Sequence, residues 1–347
     1  MKVKTYFMHQ KMMTKVLLAL LPIIIMSTWL YGWRVISLLA VTLIAGIAAE
    51  YLVLRLIQKD KTKVTEACLV SCVLFTLTLP PATPYYIAII GIVFGIVFGK
   101  AVFGGFGRNI FNPALVGRAF IYIAFPRHLA LRWTEPFTDF PGGFFNYAGA
   151  EDLITSATPL INLKEGAGAS SSLKELIFGL HPGTIGETAR ILIIVAAIYL
   201  IWTKTAAWKI MLSTLGSAAL MAAIFNTTGA LTEPFYYYLF SGGLLFGAVF
   251  MATDPVSAPK NEQAKWIFGA LVGIFTMTIR AFSLFAEGVM FAILLANSLT
   301  PLLERNLQAW QKERQLKAKA KAERQAKTPE QGGSKTPAKA KIQAKGV

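Results

Sequence analysis

The residues best suited to carry chemistry form the short polar stretch Asp152-Leu-Ile-Thr-Ser-Ala-Thr158-Pro. A threonine that a modifying enzyme is to esterify must present its hydroxyl on an accessible loop, and Ser156 and Ala157 give Thr158 small neighbours. The carboxylate of Asp152 could position the loop or an incoming metal-nucleotide complex. The same residues are also typical of an ordinary polar turn, so the stretch by itself leaves both interpretations open.

A second polar group comes from two distant places, Asn109 with Asn112 and Thr253 with Asp254. An asparagine side chain offers two donors and an acceptor, which suits the imide edge of a ring such as isoalloxazine or the hydroxyls of a ribityl chain. Asparagine or aspartate before proline is also typical of a helix cap. Capping and ligand binding are compatible, and both interpretations stay open.

Carboxylates inside apolar stretches are costly in a membrane and are functional candidates for that reason. Glu50 lies inside such a stretch, and Glu304 closes another. Glu187 and Glu287 each begin an apolar stretch, where a helix N-terminus favours a carboxylate and explains it without a further function.

Two arginines and two cysteines also fall within apolar stretches. Arg118 and Arg280 are candidates to pair with the acids or with the phosphate of a bound cofactor, and the sequence does not assign the pairs. Cys68 and Cys72, the only cysteines, are interpreted as small core residues, because they are four residues apart on a predicted apolar helix without a nearby histidine.

The composition places these residues in a membrane. With 55% hydrophobic and only 15% charged residues among 347, the chain is too apolar for an ordinary soluble domain. A net charge of +16 would suit a nucleic-acid partner, but residues 304–347 alone carry twelve Lys or Arg against four Glu. Most of the remaining positive charge lies in short loops, so no nucleic-acid partner is predicted.

Apolar runs near the spanning length predict an all-α membrane protein with about ten transmembrane helices, five on each side of a polar central segment. Several runs are short or begin at proline, which indicates broken helices that line an internal site. The predicted helices are 16–33, 35–57, 64–79, 84–103, 112–126, 188–203, 208–226, 235–251, 265–284 and 287–302.

The spacing of helix-breaking and polar residues indicates an internal repeat. Asn112 lies 32 residues after Pro80 and 14 before Pro126, and Glu287 lies 32 after Pro255 and 14 before Pro301. Because five helices is an odd number, the two repeats must have opposite topology, which places function at their interface. Glycines four residues apart in the matching helices predict close helix contacts, at Gly91, Gly95 and Gly99 and at Gly269 and Gly273.

Basic residues set the predicted orientation. With the N-terminus in the cytoplasm, the basic clusters at residues 2–15, 55–63, 100–108, 204–209 and 260–265 all lie inside. The N-terminus has no small-residue cleavage site, so a cleaved signal peptide is not expected.

The predicted domains are a first five-helix repeat (1–126), an extracytoplasmic loop (127–187), a second repeat (188–303) and a basic cytoplasmic tail (304–347), disordered after a first helical stretch. The tail could dock to anionic membrane lipid or to a partner subunit, or it could simply be solvated.

The stretch Asp152-x-x-Thr155-Ser-Ala-Thr158 resembles the signal Asp-x-x-[Ser/Thr]-Gly-Ala-Thr, at which a flavin transferase esterifies FMN through its phosphate to the last threonine. Ser156 stands where glycine is usual. Across about residues 15–305, further blocks resemble the family of the NqrB subunit of the sodium-pumping NADH:quinone oxidoreductase. They are Gly107-Arg-Asn-Ile-Phe-Asn-Pro-Ala-Leu-Val-Gly-Arg-Ala-Phe120, His181-Pro-Gly-Thr-Ile-Gly-Glu187-Thr, Phe250-Met-Ala-Thr-Asp-Pro-Val-Ser-Ala258 and Glu287-Gly-Val-Met-Phe-Ala-Ile-Leu-Leu-Ala-Asn297.

The resemblance implies a flavin-carrying subunit of a bacterial inner-membrane complex, which does not oxidise NADH by itself. A partner subunit would deliver electrons to FMN on Thr158, which would pass them toward riboflavin and quinone while the complex moves Na⁺. The resemblance also implies a set of site residues: Asp152 and Thr155 in the attachment signal, Asn109, Asn112 and Asp254 near riboflavin, and Glu50 and Glu304 where the family has acidic residues linked to Na⁺ uptake.

Two other functions remain open. The RnfD subunit of the Rnf ferredoxin:NAD oxidoreductase shares the plan, although Gly117-Arg-Ala-Phe120 and the block at His181 look more like the quinone reductase. A flavin-free channel or solute transporter would also use five-plus-five inverted repeats. The segment Gly95-Ile-Val-Phe-Gly-Lys100 is one residue short of a P-loop and lacks its Ser or Thr, so the nicotinamide is expected to bind elsewhere.

Overall fold

A computed structural model describes residues 7–58, 63–129, 133–137, 143, 159–164, 172–187, 190–283, 285 and 287–327. Asp152, Thr155 and Thr158 lie outside these residues, so their predicted functions stay predictions. The chain divides into one compact unit, Met1–Glu304, and a second unit, Arg305–Val347.

In the first half of the compact unit, the described residues form five helices. They are α1 (Lys11–Tyr31), α2 (Arg34–Gln58), α3 (Glu66–Leu77), α4 (Tyr85–Gly99) with a 3₁₀ turn after it (Ala101–Phe103), and α5 (Pro113–Ala124). The two-residue strands β1 (Phe7–Met8) and β2 (Val64–Thr65) pair in parallel, with Phe7 opposite Val64. This pair holds the start of α1 beside the start of α3.

The remaining elements lie in the central segment, where no helix is predicted, and in the second half, where the helices follow the predicted apolar runs except at 235–251. In the described part of the central segment lie the short helices α6 (Pro126–Leu129), α7 (Pro159–Lys164) and α8 (Leu173–Phe178). The second half contains α9 (Arg190–Trp202), α10 (Trp208–Thr227), α11 (Phe235–Phe240), α12 (Leu244–Phe246) with a π-helical turn after it (Gly247–Met251), α13 (Glu262–Phe282) and α14 (Val289–Lys327).

These elements confirm an all-α, multi-pass membrane protein. Among the described residues, five helices are long and apolar enough to cross a membrane, namely α1, α2, α4 with its 3₁₀ turn, α10 and α13. Three shorter apolar helices, α3, α5 and α9, have 10 to 17 residues. Their lengths fit the prediction that some helices span only part of the membrane.

The run predicted as one helix at 235–251 is broken, and an arginine binds the carbonyl groups that the break leaves without helical partners. Helix α11 ends at Phe240 and α12 begins at Leu244. The guanidinium of Arg280 donates to the carbonyl oxygens of Tyr238 at 2.6 Å and Ser241 at 3.0 Å. Backbone carbonyls freed in an apolar environment need such a donor, so Arg280 supports the break.

Both predicted glycine faces form close helix contacts, each with the backbone of a different helix. A Cβ on Gly95 would lie 2.4 Å from the carbonyl oxygen of Pro113 in α5, which only glycine allows. A Cβ on Gly273 would lie 2.4 Å from the carbonyl oxygen of Thr214 in α10. Small residues therefore bring α4 against α5 and α13 against α10.

The last part of the central segment is built into the helix bundle. The amides of Ile185 and Gly186 donate to the carbonyl oxygens of Leu79 and Leu77 at 3.0 and 2.7 Å, and the Ser27 hydroxyl donates to the Ile185 carbonyl at 2.6 Å. Ile185 is fully buried. These bonds fix Glu187 among the helix ends.

In the second unit, the predicted helical start of the tail is confirmed, because α14 continues to Lys327. Residues 328–347 lie outside the described part of the chain.

Candidate functional site

A buried ion pair joins α2 to the end of α4. The ammonium of Lys100 lies 2.7 Å from the Glu50 carboxylate, and both side chains are almost fully buried. Lys100 also donates to the Thr65 hydroxyl at 2.7 Å, and that hydroxyl donates to Glu50 at 3.1 Å. The predicted cation-site carboxylate thus already has a cationic partner from the protein.

The sequence does not single out Lys100 as a site residue, because its position matches that of the basic loop residues that set the predicted orientation. The structure instead places it in the wall of a narrow cavity with Asn109, Asn112 and Asp254. The predicted flavin-binding residues and the predicted Na⁺ residue Glu50 therefore meet through one lysine. A lone lysine at the end of an apolar run, which would have to pair with an acid, is the signal that could have revealed it.

Asn112 is a helix cap, as its alternative interpretation predicted. Its side-chain oxygen accepts from the amide of Ala114 at 3.0 Å, and Pro113 takes the first helical position of α5. Its side-chain nitrogen faces the Met251 carbonyl at 3.5 Å, which is a weak contact. Asn109 donates to the Phe111 carbonyl at 3.0 Å. Both asparagines are buried, with hydrogen-bonding capacity left over.

Asp254 is not a helix cap, so that interpretation was wrong. The residues after it form turns, and its carboxylate accepts from the hydroxyl and the amide of Ser257 at 2.8 and 3.3 Å. The Asp-Pro pair begins a tight turn, which the Ala258 amide closes by donating to the Asp254 carbonyl at 3.0 Å, and no helix follows it directly. Desolvation raises the pKa of Asp254 above its ordinary value, although the bonds from Ser257 and the charge of Lys100 act in the opposite direction.

The space around these residues is small. The cavity lined by Lys100, Asn109, Asn112 and Asp254 has a volume of about 20 Å³, and a second cavity of about 20 Å³ lies on another side of Asp254. Each has room for about one water molecule. The donors and acceptors suit a flavin, but the side chains between the two cavities, including Met13 and Leu74, would have to move to admit one.

Glu304 contacts none of the residues Glu50, Lys100, Asn109, Asn112 and Asp254 by a hydrogen bond or ion pair among the described residues. Its carboxylate accepts from the backbone amide of Lys260 at 2.5 Å. It therefore ties α14 to the loop before α13 and does not line the cavity beside Lys100.

A second buried cluster joins the two halves of the chain. Arg118 in α5 pairs with Glu287 at 2.6 Å, which resolves one pairing that the sequence left open. A helix N-terminus alone therefore does not explain Glu287. Glu187 accepts from the Thr184 hydroxyl at 3.0 Å, and burial together with nearby Glu287 raises its pKa to about 7.

Arg190 completes this second cluster from the start of α9. Its guanidinium contacts the Leu176 carbonyl and the His181 ring, and the side chain is fully buried. Burial and the positive charge of Arg190 lower the pKa of His181 to about 3, so the ring is neutral at pH 7 and can accept from the arginine. Among the described residues, no group of three His, Cys, Asp or Glu is placed to hold a metal ion.

The fold and the site define a class: a multi-pass membrane protein whose halves meet at a buried ion pair and enclose a small polar cavity. Residues 3–311 match the family described as NQR2, RnfD, RnfE, and the chain belongs to that family.

Several relatives are named as the B subunit of Na(+)-translocating NADH-quinone reductase. The chain is 40% identical to that of Azotobacter vinelandii over 250 residues and 39% identical to that of Pseudomonas aeruginosa over 250 residues. It is 37% identical to that of Yersinia pestis over 256 residues. Each alignment covers 70% of this chain, and the chain spans about 60% of the length of these relatives.

The Glu50–Lys100 pair predicts a strong energetic coupling. Glu50→Gln or Lys100→Met alone leaves one buried charge unpaired and should cost roughly 3 kcal/mol, whereas the double variant should cost clearly less than the sum. Unfolding can be followed with a thiol-reactive dye, because Cys68 and Cys72 are buried and are the only cysteines.

Lys265→Met is the matched control, because its pair with Glu262 is partly exposed and should contribute roughly 0–1 kcal/mol. Additive losses in the double variant would show that Glu50 and Lys100 do not stabilise each other.

Proposed function

We propose that the chain is the flavin-carrying membrane subunit of a respiratory complex that couples electron transfer from NADH to quinone with Na⁺ translocation. The observation that carries this proposal is the 39–40% identity to relatives named as the B subunit of such a reductase. The chain acts with other subunits and is not catalytic alone. A subunit of an Rnf-type complex is the alternative, because the family's description includes RnfD.

FMN is proposed to be held as a phosphoester on Thr158, after attachment by a flavin transferase. The described residues next to this threonine support the proposal. Leu160, two residues after Thr158, is buried and lies beside Gly242, as does the guanidinium of Arg280. A Cβ added to Gly242 would lie 3.1 Å from the Leu160 side chain and 3.0 Å from a guanidinium nitrogen of Arg280. Among the described residues, none accepts a hydrogen bond from the buried Nε of Arg280, which suits a nearby phosphate.

A non-covalent riboflavin is proposed beside Asn109, Asn112 and Asp254. These residues supply buried donors and acceptors around one cavity, and Lys100 supplies a positive charge in its wall. When bound, the two flavins supply electron transfer toward quinone. The protein's own contribution is to hold the flavin edge by hydrogen bonds and to keep water out of a space lined mainly by buried side chains.

Na⁺ is proposed to exchange with Lys100 at the carboxylate of Glu50. A carboxylate buried in an apolar bundle attracts any cation that reaches it, since screening is weak there. Lys100 already occupies this position, so Na⁺ and the ammonium would compete. Glu304 is kept as a second candidate on the Na⁺ path. The N- and C-termini are proposed to lie in the cytoplasm of a bacterial inner membrane.

Thr158→Ala should abolish covalent flavin, because the ester needs the threonine hydroxyl. The chain is produced together with a flavin transferase, denatured and examined for in-gel flavin fluorescence. Ser156→Gly, which restores the residue usual in the attachment signal, should keep the fluorescence. A fluorescent Thr158→Ala band would assign the ester to another residue, and a wild-type chain without yellow absorbance would favour a flavin-free channel or transporter.

Asn109→Ala combined with Asn112→Asp should lose riboflavin and keep covalent FMN. Aspartate retains the helix cap that Asn112 provides but removes the amide donors, so a loss of folding is avoided. Acid extraction releases only the non-covalent flavin, which chromatography then measures. Asn226→Asp, at the exposed end of α10, is the control. Unchanged riboflavin in the double variant would leave the asparagines as structural residues only.

Glu50→Gln and Lys100→Gln should shift the Na⁺ requirement in opposite directions. Without the carboxylate, the remaining lysine repels Na⁺, so the concentration for half-maximal quinone reduction should rise about tenfold or more. Without the lysine, Na⁺ has no competitor and the concentration should fall. Membranes containing the assembled complex are titrated with Na⁺ at normal flavin content. Shifts in the same direction, or none, would contradict direct competition.

A further inference from the structure

A separate cavity of about 420 Å³ opens at one end of the second half of the chain. Its walls come from the connection between α9 and α10 and from the loop that precedes α13, and Met12 of α1 closes one side. This volume is large enough for a small polar group with part of an attached chain, whereas the cavities beside Asp254 hold about one water molecule. Glu50 and Lys100 do not line it.

The cavity carries a strong excess of positive charge. Four lysines line it, Lys204, Lys209, Lys260 and Lys265, together with Glu262 as the acid. Glu262 pairs with Lys209 at 2.7 Å and with Lys265 at 2.5 Å. Among the described residues, the ammonium groups of Lys204 and Lys260 have no carboxylate within 4.0 Å. Within the described part of the chain, the cavity therefore offers an anion two ammonium groups that no carboxylate pairs with.

The backbone holds Lys204 at the cavity in an uncommon conformation. Its φ of 54° lies in the left-handed region, and it is the only residue other than glycine with a positive φ in the described part of the chain. The turn is fixed by bonds from the Lys204 amide to the Ile201 carbonyl at 3.0 Å and from the Thr205 amide to the Leu200 carbonyl at 2.9 Å. Glycine or asparagine would adopt this turn more easily, so the lysine there is a costly choice.

Exposed tryptophans place the mouth of the cavity at the membrane surface. Trp202 ends α9 and is 83% exposed, and Trp208 begins α10 and is 47% exposed. Trp208 packs edge-on against Trp266 of α13, with ring centroids 5.6 Å apart. Tryptophans with this exposure at the ends of apolar helices sit at the level of lipid headgroups. A ligand at the cavity thus meets both a basic wall and the lipid boundary.

We propose that this cavity binds the headgroup of an anionic phospholipid, with its phosphate held by Lys204 and Lys260. The apolar residues Ile201, Ile210 and Met12 in the same walls would contact the glycerol and the first carbons of the acyl chains. This cavity differs from the proposed flavin and Na⁺ sites in its lining, because Lys100, Asn109, Asn112, Asp254, Glu50 and Glu304 do not line it, although Thr253 and Pro255 in its wall flank Asp254. It is also distinct from a general attraction between anionic lipid and the basic tail, because all of its residues belong to the compact unit.

The proposal predicts selective retention of phosphatidylglycerol. The full-length chain is purified in mild detergent, incubated with phosphatidylglycerol or phosphatidylcholine, and analysed by native mass spectrometry. The wild-type chain should retain one phosphatidylglycerol in preference to phosphatidylcholine. Lys204→Gln with Lys260→Gln should weaken this retention about tenfold or more, since each cation near the surface contributes to the attraction.

Two further variants keep the test decisive. Lys11→Gln with Lys63→Gln removes the same charge from exposed positions outside the cavity and should retain the lipid. Lys204→Arg with Lys260→Arg keeps the charge and should also retain it. Equal retention by all variants, or equal retention of the two lipids, would overturn the proposal.

The source of the anion is tested with inorganic phosphate. If phosphate alone displaces the lipid at comparable concentration, the cavity takes a soluble anion and the lipid proposal fails. If the cavity lysines are protected from acetylation only in the presence of partner subunits, an acidic protein segment occupies the cavity in place of lipid, and the proposal fails as well.

Discussion

Charges inside an apolar helix bundle must be paired, and this constraint organises the structure. Glu50 and Lys100 pair at 2.7 Å between α2 and the end of α4, and Arg118 and Glu287 pair at 2.6 Å between α5 and the start of α14. Breaking one partner of a buried pair typically costs about 3–5 kcal/mol, which is comparable to a large part of a domain's stability. The first pair holds the first half together, and the second joins the two halves.

The same constraint acts on the backbone. A helix that breaks in a membrane frees carbonyl groups, and at the break after α11 the guanidinium of Arg280 serves as their donor. At Ile185 and Gly186 the irregular backbone itself supplies the donors, because its amides bind the carbonyl oxygens of Leu79 and Leu77 at the end of α3. Irregular backbone is therefore tolerated where another element supplies the missing partner, and those places are where the polar clusters form.

The sequence predicts the helices well because a span of apolar residues is a local signal. The cap at Asn112 is also predicted, since asparagine before proline acts on its own neighbours, whereas the break within the run predicted as one helix at 235–251 is not. Pairs such as Arg118 with Glu287 were not, because they join residues far apart in the chain. For the same reason, the local pattern predicts a loop residue at Lys100 and a cap at Asp254. The partners of these side chains are set by how α4 and the second half pack, which no local pattern shows.

Lys100 connects the predicted Na⁺ carboxylate Glu50 with the predicted riboflavin residues, which lie far apart in the sequence. It pairs with Glu50 and also lies in the wall of the cavity of Asn109, Asn112 and Asp254. A change of charge in that cavity would therefore act directly on the cation that neutralises Glu50. If added negative charge draws the ammonium toward the cavity, the Glu50 carboxylate loses its partner and its attraction for another cation rises, because an unpaired charge in an apolar span is costly. Coupling between charge at the cavity and cation binding at Glu50 then needs only the movement of one flexible side chain.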